Sequence, residues 1–175
     1  MKAEYLLNEQ VDMVLSALTP VNRLIMRICL HTGLRIGDVL NFKTEQLRNG
    51  PRFWVTEQKT GKRRMVALTE QLWDEALGQA GHPWVFSGRC SRDSHRTRQA
   101  VWKDVKRAAR AFRITDVNAT PHSARKIYAV RLLERYGNIA RVQKALNHSS
   151  PEVTLIYAMA DHLLTAKHKR PRRKS

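Results

Sequence analysis

Apolar residues recur at helical spacing in the opening stretch LLNEQVDMVLSALTP, where Val11, Val14, Leu15 and Leu18 share one face. Asn8 is the expected N-cap of this helix, and Pro20 lies just beyond its end. A second helix is predicted from about Pro20 to His31 with Gly33 as its stop, and a third, short one over IGDVLNF. The period then changes. PRFWVTEQ and RRMVAL are rich in β-branched and aromatic residues and flank KTGK, which predicts a hairpin or the start of a small sheet. TEQLWDEALGQA reads as an amphipathic helix ending before Gly81, WVF as a short strand, and GRCSRDS as a loop. SHRTRQAVWKDVKRAARAF is a long basic helix with a stripe of Val101, Trp102, Val105, Ala108 and Ala109. Three more helices are predicted at about Pro121–Tyr136, Asn138–Asn147 and Pro151–Asp161. The pattern implies one compact α+β domain, mostly α with a small antiparallel β-sheet.

Composition narrows the class. At 175 residues with 42% hydrophobic side chains, the chain can bury one substantial core and is not a disordered segment. No apolar run reaches the roughly 18–20 residues of a membrane span, and MKAEYLLNEQ lacks the continuous apolar core of a signal peptide. Cys29 and Cys90 are too few for a disulfide framework or a paired-cysteine metal motif. A cytoplasmic setting, no membrane, no metal and no cofactor are therefore expected. The charge changes the picture most: 32 Lys and Arg against 15 acids give a formal +17. The tail AKHKRPRRKS supplies only six of those cations, so the body itself is basic. A polyanion is the expected partner, because basic side chains neutralise phosphates and release counterions.

Polar residues stand oddly in four places. In TPHSARKIYAVRLLERYG, Thr120 and Pro121 start a helix, and Ala129, Leu132, Leu133 and Tyr136 form its expected buried stripe. Carried backwards, that stripe reaches Arg125 and His122. A cation and an imidazole beside the free N–H groups of a helix start form either an anion site or a paired cap region. In HTGLRIGDVLNF, Arg35 lies between the apolar anchors Leu34 and Ile36, with Asp38 in reach of its guanidinium. This is either a fixed phosphate clamp or an internal salt bridge. Lys59 and Lys62 flank Thr60-Gly61 in the hairpin turn, where a lysine is ordinarily only solvated. In LNHSSPEVTLIYAMA, His148 precedes a helix start, and Tyr157 shares a face with Val153, Ile156 and Ala160. From the residues alone, Tyr157 is either a core side chain or a reacting phenol.

Together these segments resemble the tyrosine recombinase (phage integrase) family. Its T-G-x-R-x-x-E/D pattern is matched by TGLRIGD, its hairpin lysine by QKTGKRR, and its His-x-x-Arg by HSAR. Its L-G-H-S-S is matched by LNHSS, and its tyrosine, nine residues after that histidine, by LIYA. The resemblance runs from Tyr5 to Asp161 and implies a DNA breaking and rejoining domain over residues 1–163, followed by a basic tail, 164–175. It implies that Tyr157 attacks a phosphodiester to form a 3′-phosphotyrosyl link. Arg35, Arg125 and His148 would stabilise the transition state, Lys59 would protonate the leaving 5′-oxygen, and His122 would handle the tyrosine's proton. Lys62 and Arg64 beside the turn and Arg98 and Lys106 on the basic helix are the expected DNA contacts. Double-stranded DNA, a homo-tetramer on paired sites and accessory DNA-bending proteins are the implied partners.

Departures from the family pattern are Asn147 for glycine and Asp38 for glutamate. No N-terminal core-binding domain precedes the matched segments, as expected either of a short member like the fimbrial phase-switch recombinases or of a fragment. Two competing activities share these features: a relaxing activity like that of type IB topoisomerases, and a catalytically idle DNA-binding regulator on the same fold.

Overall fold

The computed structural model describes residues 6–89, 93–115 and 117–146. Its elements, in order, are α1 (Asn8–Ala17), α2 (Pro20–Thr32), α3 (Ile36–Leu40), α4 (Thr44–Arg48), β1 (Arg52–Thr56), β2 (Arg63–Ala67), α5 (Glu70–Gly78), α6 (Arg98–Ala111), α7 (Pro121–Tyr136) and α8 (Ile139–Leu146). The fold class is the expected one, helical with a two-stranded antiparallel sheet. The described residues divide into two compact units, one ending at Tyr128 and the other beginning at Ala129.

In the first unit α2 is the central element. Ile25, Ile28 and Cys29 on it are fully buried, as are Val39, Leu40 and Phe42 from the following segment and Val101 and Ala108 from α6. Burial and a nearby Asp38 push the Cys29 thiol up to about 12, so it serves as a small apolar side chain. The hairpin closes this core from one side. Strand parity turns Phe53 and Val55 inward and leaves Trp54 and Met65, which face each other across the strands, exposed. Phe53 meets Phe42 edge to face, with ring centroids 5.0 Å apart.

Several sequence expectations need correction. Helix α1 begins at Asn8 itself, and its preceding N–H, that of Leu7, donates to Gln10 Oε1 at 3.0 Å. Helix α6 begins at Arg98 rather than near Ser94, because Thr97 Oγ1 accepts from the Ala100 N–H at 3.1 Å and caps it. The residues before it form a single bridge, Ser87 to His95. WVF is not a strand: Trp84 makes one bridge to Lys43, and the Val85 N–H donates to Phe42 O at 3.0 Å. Trp102 is 44% exposed, and Asp104 takes its place on the inward face of α6. The i, i+3, i+4, i+7 series from Val101 runs through 104, 105 and 108, which leaves 102 off the seam.

Asp104 is buried because it has work for every lone pair. Its Oδ2 accepts from the Thr19 N–H (3.0 Å), Thr19 Oγ1 (2.9 Å) and Asn22 Nδ2 (2.7 Å), and Oδ1 accepts from Arg107 Nη2 at 2.7 Å. It thereby fastens α6 to the start of α2. Burial raises its pKa, but these hydrogen bonds outweigh that and hold the carboxyl at about 2.

In the second unit, Val130, Val142 and Leu146 are buried. Helix α7 ends at Gly137, φ +58°, whose N–H donates to Leu133 O at 2.7 Å. Asn138 Oδ1 accepts from the Arg141 N–H at 3.2 Å, at the start of α8. The expected stripe on α7 holds at Ala129 only in part beyond it: Leu132 and Leu133 are half-buried, and Tyr136 is 42% exposed beside the guanidiniums of Arg135 and Arg141. The helix predicted over Pro151–Asp161 lies outside the described residues.

Replacing Asp104 with alanine is expected to lower stability by about 2 kcal/mol in urea titrations near neutral pH, as its donors lose their acceptor. The difference from wild type should shrink as pH falls from about 3.8 towards about 2. A carboxylate whose folded pKa is depressed stabilises only while ionised, and protonation in that window removes the contribution.

Candidate active site

Gly33 ends α2 with φ +67°, a left-handed turn that glycine adopts without strain. A Cβ there would lie 2.3 Å from the Tyr128 ring, so the position is restricted twice over. The turn exposes the last carbonyls of α2, and two arginines claim them. Arg125 Nη1 donates to Gly33 O at 2.7 Å, and Arg64 Nη2 donates to Thr32 O at 2.5 Å. Guanidinium groups fit the negative end of a helix dipole.

Arg35 follows two residues later as the N-cap of α3, with extended backbone (φ −69°, ψ 146°). Its Nη1 donates to Glu57 Oε2 at 2.7 Å, and Glu57 is fully buried while the Arg35 side chain keeps 16% exposure. Asp38, the carboxylate expected to hold Arg35, does something else. Its Oδ1 accepts from the Gln58 N–H at 2.9 Å, fixing the strand end, and its Oδ2 has no hydrogen-bond partner among the described residues. Burial pushes the Asp38 carboxyl up, and Glu57 adds to the shift, while the Gln58 N–H, Arg35 and Arg125 oppose it. The reach lost by having aspartate rather than glutamate at 38 is supplied from the hairpin by Glu57.

Glu57 continues the inward parity of Phe53 and Val55, and Arg64 is opposite Val55 on the same face. Arg64 Nη1 lies 3.8 Å from Glu57 Oε1, and burial lowers the Arg64 pKa. Arg64 was expected as a DNA contact; its side chain is half-buried and is engaged by Thr32 O and Glu57. Three guanidiniums, Arg35, Arg64 and Arg125, thus surround two carboxyls at the end of α2.

Lys59 sits in the hairpin turn and is exposed. The turn is closed by Gly61 (φ +66°), whose N–H donates to Glu57 O at 2.8 Å, and by the Glu57 N–H, which donates to Lys62 O at 2.9 Å. Arg125 is 3% exposed on α7, and His122, one turn earlier, is exposed. His122 lines an open groove of about 520 Å³ with Ile36, Arg98, Gln99, Trp102, Thr120 and Pro121. The Thr120 hydroxyl, expected to cap α7, has no hydrogen-bond partner among the described residues; the Thr120 N–H instead donates to Ser123 Oγ at 3.2 Å. Arg98 and Lys62 are exposed, while Lys106 is half-buried, bonded to Asn118 and 5.9 Å from the Trp102 ring centroid. His148 and Tyr157 lie outside the described residues. Among the described residues no cluster of His, Cys, Asp or Glu has a metal-ligating arrangement, and no helix is long and apolar enough to cross a membrane.

The arrangement offers guanidinium N–H donors held by buried acceptors and an exposed lysine in the hairpin turn, groups suited to an anion whose charge grows during reaction. The family model described as phage integrase family matches residues 4–163. The chain belongs to the phage integrase family.

Among its relatives within the phage integrases, a probable integrase/recombinase YoeC of Bacillus subtilis is 27% identical over 136 residues, covering 75% of this chain and 74% of that protein. Tyrosine recombinase XerD of Lacticaseibacillus casei is 29% identical over 159 residues, covering 85% of this chain and 54% of XerD. The chain thus spans about half the length of the XerD relatives it matches. The fold is shared with a lambda integrase (75–356) dimer bound to a COC′ core site, with a TM-score of 0.75 at 18% identity over 100% of this chain and 62% of that one. The catalytic domain of bacteriophage HP1 integrase aligns with a TM-score of 0.62 at 23% identity, over 98% of this chain and 97% of that domain.

Gly33→Ala is expected to cost about 3 kcal/mol, from the left-handed backbone and the overlap with Tyr128 together. A urea titration of the purified variant checks the loss, and a change under about 1 kcal/mol would show that the turn tolerates a side chain.

Proposed function

We propose that this phage integrase family chain cleaves and rejoins double-stranded DNA at specific sites through a 3′-phosphotyrosyl intermediate. The observation that carries the reading is the pair Arg35 and Arg125, each anchored by a buried acceptor, in a chain whose family is established. In the proposed step the Tyr157 oxygen attacks phosphorus, the bond to the 5′-oxygen breaks, and that oxygen takes a proton from Lys59. The tyrosine's proton passes to His122 or to water that His122 positions. The P–O bond to tyrosine conserves the energy of the broken bond, so rejoining needs no nucleotide cofactor. Arg35, Arg125 and His148 stabilise the negative charge that gathers on the non-bridging oxygens. Work on paired sites as a homo-tetramer, help from DNA-bending proteins, a cytoplasmic, nucleoid-associated location and a catalytic span of residues 1–163 with a basic tail after it belong to the same proposal.

Trapping on a nicked substrate, in which the cut fragment diffuses away, tests the reading. Wild-type protein should become covalently linked to DNA, and Tyr157→Phe should abolish linkage while binding persists. Arg35→Ala should slow linkage by roughly two to three orders of magnitude. Linkage by Tyr157→Phe would sink the assignment. Relaxation of any plasmid without recombinants would instead mark a topoisomerase-like activity, and tight binding without cleavage an idle regulator.

Surface and interior cations should separate in a salt titration. Lys62→Ala and Arg98→Ala are each expected to flatten the slope of log K against log salt by about 0.9, one phosphate contact apiece. Arg64→Ala should leave the slope unchanged and lower stability instead, because its guanidinium serves Thr32 O and Glu57.

A further inference from the structure

Glu57 is a fully buried carboxylate that belongs to no sequence pattern in the chain, yet it touches both halves of the proposed machinery. Its side chain accepts from Arg35 Nη1 at 2.7 Å and from Thr60 Oγ1 at 3.3 Å, and Arg64 Nη1 stands 3.8 Å away. Its main chain closes the turn that carries Lys59: the carbonyl receives the Gly61 N–H and the amide reaches Lys62 O. Lys59 is two residues from Glu57, inside that turn.

We propose that Glu57 is a positioning residue that couples the hairpin lysine to the arginine clamp, so that Arg35 and Lys59 occupy their working places together. This rests on the cleavage reading above. The physical reason is that a carboxylate without exposure must keep its cationic partner, since a buried unpaired charge costs several kcal/mol. The carboxylate cannot follow a displaced Arg35 without moving the turn, and the turn cannot swing without pulling on Arg35. A lysine on a free hairpin tip would reach the leaving oxygen only part of the time; anchoring the tip shortens that search. Arg64, seated on the end of α2, gives the same carboxylate a fixed reference.

One measurement reads the coupling without catalysis. In the full chain, Arg35→Ala should speed hydrogen exchange at the Gly61 and Glu57 amides roughly tenfold, while amides of α5 keep their rates. Unchanged exchange in the turn overturns the proposal whether or not the protein cleaves DNA. The second measurement compares cleavage of an ordinary substrate with one carrying sulfur in place of the departing 5′-oxygen, a leaving atom that needs no proton. Glu57→Gln should slow the ordinary reaction on the order of 100-fold at unchanged DNA affinity. The sulfur substrate should recover on the order of tenfold of that loss, the share due to the displaced lysine. Glu57→Asp, which keeps the charge but shortens the reach to Arg35, should not regain the rate. Full recovery of rate by aspartate, or no recovery with sulfur, overturns the coupling. If wild type fails to cleave while the exchange result stands, the fault lies with the cleavage reading and the coupling survives.

Discussion

The constraint on which the site depends is a carboxylate sealed from water. Glu57 has no exposed side-chain surface, and the guanidiniums of Arg35 and Arg64 stand against it in place of water. Such a pair adds little to stability on balance, because two charges must lose their hydration before they attract. What it secures is direction. A guanidinium bonded through one nitrogen to a fixed acceptor has its plane and its remaining donors aimed, and arginine's rigid fork carries that aim better than a lysine would. Arg35 is bonded to Glu57 through Nη1 and keeps part of its side chain exposed.

The end of α2 supplies the second fixed frame. A helix terminates with unpaired carbonyls, and here Gly33 turns the chain away so that Thr32 O and Gly33 O meet Arg64 and Arg125. The backbone does for Arg125 what Glu57 does for Arg35. The two arginines proposed to clamp phosphate are thus held by different means, one by a side-chain anion and one by a helix dipole. Neither partner competes directly with a phosphate at full charge: one is a neutral carbonyl, and the other shares its charge between two guanidiniums.

Much of this was legible in the sequence, and the omissions have a common cause. Helix positions, the hairpin and the glycine stop of α2 followed from periodicity and turn chemistry. Arg35, His122 and Arg125 stood out as polar residues at anchored or capping positions, whereas Lys59, an ordinary turn lysine by its residues, was singled out by the family resemblance. Glu57 and Arg64 did not, although the alternation that turns Phe53 and Val55 inward also turns residue 57 inward and sets Arg64 opposite Val55. Charge was allowed to override parity: Arg64 was read as a surface cation, and the partner of Arg35 was sought three residues away at Asp38 rather than across the fold. Trp102 failed the other way, its apolar character placing it in the stripe when the seam of α6 runs through Asp104. Long-range pairing, such as the 22 residues between Arg35 and Glu57, leaves no local periodicity to read.

The chain carries 32 basic side chains, but they cannot all act alike. An exposed lysine or arginine on a flexible stem attracts DNA before, during and after reaction equally, and uniform attraction changes affinity without lowering the barrier from the bound state. Only a cation whose position is set before the DNA arrives can favour the geometry in which the phosphorus is five-coordinate over the one in which it is four-coordinate. The interior acceptors, Glu57 and the last carbonyls of α2, make that distinction among otherwise similar residues. In the proposed reaction the excess charge on the surface brings the backbone in and holds it there, and the arginines bound to buried oxygen atoms decide what happens to it.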